Sequence, residues 1–171
     1  MTDHTFPGHA TLTPARALLL GTLTVGVLDI VDAFVFFGLR GVPATTILHA
    51  IASGVLGRAA FSGGTGTAAL GLVLHFLIAF GVVAVYHLAS RRFPALRRNP
   101  LLLGPIYGVL VYLVMNEVVL PLSAAATGPR PLPVLVNGLL IHAFGVGLPA
   151  ALSAWAAGRR TESAPPAVLA A

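Results

Sequence analysis

Residues 99–124 read NPLLLGPIYGVLVYLVMNEVVLPLSA, an apolar run that carries Asn116 and Glu117 inside it. About 20 helical residues at ~1.5 Å rise cover the ~30 Å hydrocarbon core of a bilayer, so the stretch is long enough to cross one. In a soluble protein the Asn-Glu pair would be a flaw in a core helix. In lipid a carboxylate at depth costs about 3 kcal/mol or more unless a partner or water satisfies it. An ionisable residue inside such a run is therefore a candidate functional site. The rest of the chain decides whether it has neighbours.

Three further runs have the same character, which predicts four membrane spans at about 17–39, 68–90, 101–122 and 132–157. The composition agrees: 57% of the 171 residues are hydrophobic and 9% charged, and the mean hydropathy is +0.92. Soluble globular chains carry about 25% charged residues. A signal peptide is a poor reading of the first run, because Asp29 and Asp32 interrupt it and no A-x-A site follows. Between the first two runs, VPATTILHAIASGVLGRAAF is too short an apolar stretch to cross. It predicts an interfacial or re-entrant helix over about 43–60, with Ile47, Ile51, Val55 and Leu56 on one side. The expected domain is 16–160, flanked by disordered tails at 1–15 and 161–171. Pro105 and Pro121 read as helix-end residues and Pro149 as a kink.

Charge sets the orientation. All 10 basic residues are arginine. Arg16, the Arg91-Arg92-Arg97-Arg98 loop and Arg159-Arg160 place seven on one side, leaving Arg40, Arg58 and Arg130 on the other. The side richer in arginine is cytoplasmic, so both termini are expected inside. The net charge of +5 is dispersed over helix ends and forms no single patch, which speaks against nucleic acid as a partner. The absence of cysteine removes disulfides, thiolate metal sites and thiol redox chemistry.

Counting from the span ends places the polar residues. Asp29 lies near the middle of the first span and Asp32 one turn further out on the same face. His75, Asn116, Glu117, Asn137 and His142 fall in the outer half of the second, third and fourth spans, and His49 lies in the interfacial segment. His87 lies near the inner end. Three readings compete. Such groups can hydrogen-bond across helices and only hold a bundle together, at ~0.6–2 kcal/mol each. They can form a proton or ion pathway in which Asp29 and Asp32 titrate, His75 and His142 relay, and Asn116 and Glu117 complete the route. Or His75 and His142, each one turn after a glycine (Gly71 and Gly138), can hold a haem between two imidazoles or, with a carboxylate, a divalent metal. No catalytic motif is present: there is no G-x-S-x-G elbow, and Gly63-Gly64-Thr65-Gly66 lacks the lysine of a phosphate loop.

Three segments, IASGVLGRAAFSGGTGTAALGLVLHFLIAF, YGVLVYLVMNEVVLPLSA and HAFGVGLP, resemble a group of uncharacterised bacterial four-span membrane proteins. The likeness extends from about residue 20 to 158. A looser likeness, in the second span with its His, the FP loop and the third span ending in Pro-Leu, runs to the YagU-like inner-membrane proteins. The resemblance implies a bacterial inner-membrane protein and marks His75, Asn116, Pro121, His142 and Pro149 as motif positions. It implies no established activity. Glu117 departs from the pattern, which has an aromatic or apolar residue there.

The expectation is an all-α integral membrane bundle of four spans plus a short outer helix. Its intramembrane polar site comprises Asp29, Asp32, His75, Asn116 and His142, with His49, Glu117 and Asn137 as accessories. The leading function is movement of a proton, ion or small solute, without enzymatic chemistry. The alternatives are a haem- or metal-holding protein built on His75 and His142, and a structural or accessory subunit. The partners expected are the lipid bilayer and a second copy or another membrane protein.

Overall fold

The computed structural model describes residues 12–162, with side chains through 158. The predicted tails fall mostly outside these residues. The first helix already begins at Pro14, inside the predicted N-terminal tail, and the last runs to Glu162, into the predicted C-terminal one. The described residues contain helices and no strand.

Helix α1 is Pro14–Gly38. The Thr13 hydroxyl accepts from the Arg16 N–H at 3.3 Å, and Pro14 supplies a preset φ where no donor is needed. Helix α2, Ala44–Leu56, continues as a 3-10 segment over Gly57–Ser62. A turn at Gly64, with φ +60°, opens α3, Gly64–Arg92. A short α4, Ala95–Arg98, sits in the basic loop. Helix α5 covers Pro100–Leu122 and α6 starts at Leu132.

Helices α5 and α6 each contain one π turn, at Met115–Val119 and His142–Gly147. Each turn lies just before a proline, Pro121 and Pro149. A proline has no N–H to give, and its ring meets the carbonyl four residues back. Widening the preceding turn relieves that clash and keeps the helix continuous. Pro105 is not at a helix end, as its sequence context predicts, but inside α5.

Five segments are long and apolar enough to cross a membrane: Pro14–Gly38, Ala44–Ser62, Gly64–Arg92, Pro100–Leu122 and Leu132–Gly158. Between 22% and 33% of each apolar window is buried within the chain. The remaining surface is apolar too, with Leu23, Val73, Leu101 and Phe144 all more than half exposed. An apolar exterior of this extent fits lipid rather than water, and the chain is a multi-pass membrane protein.

The interior is narrow because small residues line it. Val25, Ala79, Val83, Val146, Ala150, Ala151 and Ala154 form its core with Tyr86 and Val111. Neighbouring helices pack antiparallel: Gly21 of α1 lies against Val83 and Ser153, and Gly26 against Phe76. The tightest approach is between α5 and α6. A Cβ on Gly108 would strike the His142 carbonyl, and one on Gly147 would strike the Gly104 carbonyl. The GxxxG of α5 thus seats backbone on backbone.

The buried side of α2 differs from the predicted stripe. Ile47, Ala52 and Ser53 are buried, whereas Val55 and Leu56 are exposed. The reason is a close crossing: the Leu48 carbonyl occupies the space where Gly71 of α3 would carry a Cβ. The missing side chain of Gly71 permits that approach. Farther along α2, the Gly54 carbonyl accepts from Ala124 N–H at 2.9 Å, which ties the helix to the end of α5.

The glycine contacts predict a stability contrast. Gly108→Ala is expected to destabilise the bundle by about 1–3 kcal/mol through overpacking. Gly81→Ala, with open space around its Cβ position, is expected to be neutral or stabilising by about 0.5–1 kcal/mol. Thermal unfolding of both variants in detergent checks the contrast.

Candidate functional site

His75 of α3 is buried and reaches α1. Its Nε2 lies 2.8 Å from the Gly26 carbonyl oxygen, which can only accept, so Nε2 carries a proton and donates it. Gly26 permits this because its missing side chain leaves room for the Phe76 ring beside it. With Nε2 committed, Nδ1 is the nitrogen left to exchange a proton. It lies 4.0 Å from Asp29 Oδ2, within ion-pair reach and about 1 Å beyond a hydrogen bond. Asp29 sits one turn after Gly26 on the same face of α1, so a single imidazole engages both a backbone carbonyl and a carboxylate of one helix.

Two more groups act electrostatically on Asp29: His142 from α6 and Asp32 from its own helix. His142 Nδ1 donates to the Gly138 carbonyl at 2.9 Å, and its ring meets Tyr112 edge-on at 5.2 Å. One turn outward, the Asn137 amide donates to Asp32 Oδ2 at 2.7 Å. Asp29, Asp32, His75, His142 and Asn137 are therefore gathered where α1, α3 and α6 meet. By ~1.5 Å per residue, Asp29 lies about 14 Å from the Gly38 end of α1.

Asn116, Glu117 and His49 are placed elsewhere. The Asn116 amide donates to the Tyr112 carbonyl of its own helix at 2.8 Å. Glu117 is exposed and forms an ion pair with Arg130. That hydrogen bond raises the Arg130 guanidinium above its ordinary pKa. Asn116, Glu117, Pro121, Thr127 and Arg130 line an open cavity of about 430 Å³ beyond the end of α5. His49 Nε2 donates to the Gly64 carbonyl at 2.8 Å, closing the turn between α2 and α3. It fixes a loop and does not enter the cluster.

The helices carry a second polar layer that was visible in the sequence only as a lone His87. Its Nε2 lies 2.9 Å from Ser153 Oγ, and the Ser153 hydroxyl donates to the Ala150 carbonyl. The oxygen therefore accepts from the imidazole. Nearby, Tyr107 donates to the Val82 carbonyl at 2.7 Å and Tyr86 to the Leu96 carbonyl at 2.9 Å. Between the two polar layers lie Val25, Ala79, Val83, Val146 and Ala150, an apolar plug.

The geometry bears on the haem and metal alternatives. The space beside Gly71 is filled by the Leu48 backbone and that beside Gly138 by the Tyr112 ring. Neither glycine opens a slot for a flat macrocycle next to its histidine. Among the described residues, no three His, Cys, Asp or Glu side chains are grouped to hold a metal ion.

The Asp32–Asn137 bond predicts a measurable coupling. A double-mutant cycle with Asp32→Ala and Asn137→Ala is expected to return about 0.6–2 kcal/mol of interaction energy. The same cycle between Asp32 and Asn116→Ala is expected near zero. Unfolding free energies of the purified variants in mixed micelles decide both.

Comparison with protein-family models, with curated proteins and with solved structures finds no match for the chain.

Proposed function

We propose that the protein is a four-span inner-membrane protein of bacterial type that passes protons through the Asp29–His75 pair. The observation that carries this reading is the double engagement of His75. Its Nε2–H is held by the Gly26 carbonyl while Nδ1 faces Asp29. Once the two groups close by about 1 Å, or one water bridges them, a single proton is shared by two sites. It rests on the Asp29 carboxyl with a neutral imidazole opposite, or on Nδ1 with a carboxylate opposite. Transfer between them breaks one O–H bond and forms one N–H bond, with no change in the Nε2 contact. Such exchange between ionisable groups inside a span is the pattern of a proton relay.

The surrounding residues have assigned parts. Asp32, oriented by Asn137, takes protons from the outer side and presents them to Asp29. His142 adds a second imidazole near Asp29 and tunes its charge. The plug of Val25, Ala79, Val83, Val146 and Ala150 keeps the two polar layers from merging into an open water path. His87 and Ser153 form the inner polar layer, about 18 Å from His75 along α3 at ~1.5 Å per residue, and a proton reaches them only through water admitted when the plug opens.

The packing supports four spans with both termini on one side, and the arginine asymmetry makes that side the cytoplasm in this reading. Helices α1 and α3 are antiparallel, so the Gly38 end of one lies level with the Gly64 end of the other. The intervening α2 segment leaves and returns at the same end. A crossing helix would deliver α3 to the opposite end. Cysteine labelling suits this chain, which has no native cysteine. Arg40→Cys and Ser62→Cys are expected to react with an impermeant maleimide from the same, periplasmic side. Reaction from opposite sides would make α2 a fifth span.

The transport reading is tested by a pH jump on proteoliposomes holding a trapped pH dye. Asp29→Asn and His75→Gln are expected to slow proton entry at least about tenfold relative to wild type. Glu117→Gln and Asn116→Ala are expected to stay within about twofold, because neither group reaches the pair. Equal rates for wild type, Asp29→Asn and His75→Gln would end the reading.

A further inference from the structure

At the end of the bundle opposite the Glu117–Arg130 pair, a cavity of about 440 Å³ opens between the start of α5 and α6. Arg98 and Asn99 stand at its mouth, and Leu101, Leu102, Leu152 and Trp155 form its walls. We propose that this cavity binds an acidic phospholipid, with Arg98 and Asn99 on the phosphate and the leucines along an acyl chain.

Three features select this occupant. The first is the division of the cavity into a polar mouth and an apolar body, the same division that a phospholipid has along its length. The second is charge. RRFPALRRN, residues 91–99, holds four arginines and no acidic residue, so nothing in the loop neutralises Arg98. Its neighbour Arg97 is used differently, because the Arg97 side chain lies along Gly158 of α6. Arg98 is left exposed at the cavity mouth. The third is Trp155, whose indole belongs at the level of lipid headgroups and glycerol. A basic pocket between membrane helices at the arginine-rich side is a site for anionic headgroups. The proposal rests on the membrane reading and not on proton movement.

Trp155 is the only tryptophan in the chain, so the indole signal comes from the wall of this cavity. The full-length protein is reconstituted into phosphatidylcholine vesicles containing a small fraction of acyl-brominated lipid, and tryptophan quenching is followed. At equal mole fraction, brominated phosphatidylglycerol is expected to quench about fivefold more effectively than brominated phosphatidylcholine, the factor for one arginine near a headgroup. Arg98→Gln is expected to abolish that preference and Arg91→Gln to leave it. Soluble glycerol phosphate in excess is expected not to relieve the quenching.

Equal quenching of the wild type by the two lipids would overturn the proposal. So would a preference that survives Arg98→Gln, or one lost equally in Arg91→Gln, which would reflect general surface charge. Relief by glycerol phosphate would assign the site to a free phosphate compound instead.

Discussion

The imidazole of His75 bonded to the Gly26 carbonyl is the contact on which the polar centre depends. A carbonyl has two lone pairs, so Gly26 can take a second donor without losing its helical partner. The bond commits one ring nitrogen and thereby directs the other at Asp29, a turn along the same helix. Without a glycine at 26, the space taken by Phe76 would be contested and α3 would stand farther off. The electrostatics of Asp29 therefore follow from a backbone contact. His142 is locked by the same device, with Nδ1 given to a carbonyl of its own helix, and Asp32 is held by the Asn137 amide.

This arrangement exists because small residues bring four long helices together. In lipid there is little hydrophobic drive between helices, so close packing and polar contacts decide their register. Gly108 and Gly147 allow α5 and α6 to touch along the backbone, and the π turn at His142–Gly147 rotates the residues that follow it. That turn relieves Pro149, and His142, its first residue, keeps Nδ1 on the Gly138 carbonyl. The apolar plug between the His75 and His87 layers is built from the same alanine and valine positions that hold the bundle together. A pathway through it is tied to the stability of the core.

Four of the five long helices were legible as apolar runs, because span length in lipid is set by bilayer thickness; Ala44–Ser62, read as too short to cross, is also long and apolar enough. The glycine pair of α5 was legible by its spacing. Rotation about each helix axis was not. Helices α1 and α3 are apolar on every side, so no stripe in their sequence marks the inward face. Asn116 and Glu117 illustrate the loss. Asn116 was expected in the site and Glu117 beside it as an accessory, yet the amide is satisfied within its own helix and the carboxylate pairs with Arg130. Counting placed His75 and His142 at similar depth in the outer half and Asp29 near the midplane, but their shared face could not be counted. In α2 the side that packs on α3 carries Ile47, Ala52 and Ser53, and the stripe through Val55 and Leu56 faces outward.

The central claim is that Nε2 of His75 holds its proton on Gly26 while Nδ1 exchanges with Asp29. Nitrogen-15 NMR of histidine-labelled protein in lipid, with the His75 signals assigned by their loss in His75→Gln, tests it directly. The predicted result is an Nε2 that stays protonated across the titration and an Nδ1 whose proton occupancy changes in Asp29→Asn. A bare Nε2 with the proton on Nδ1, or an Nδ1 titration identical in wild type and Asp29→Asn, would contradict it.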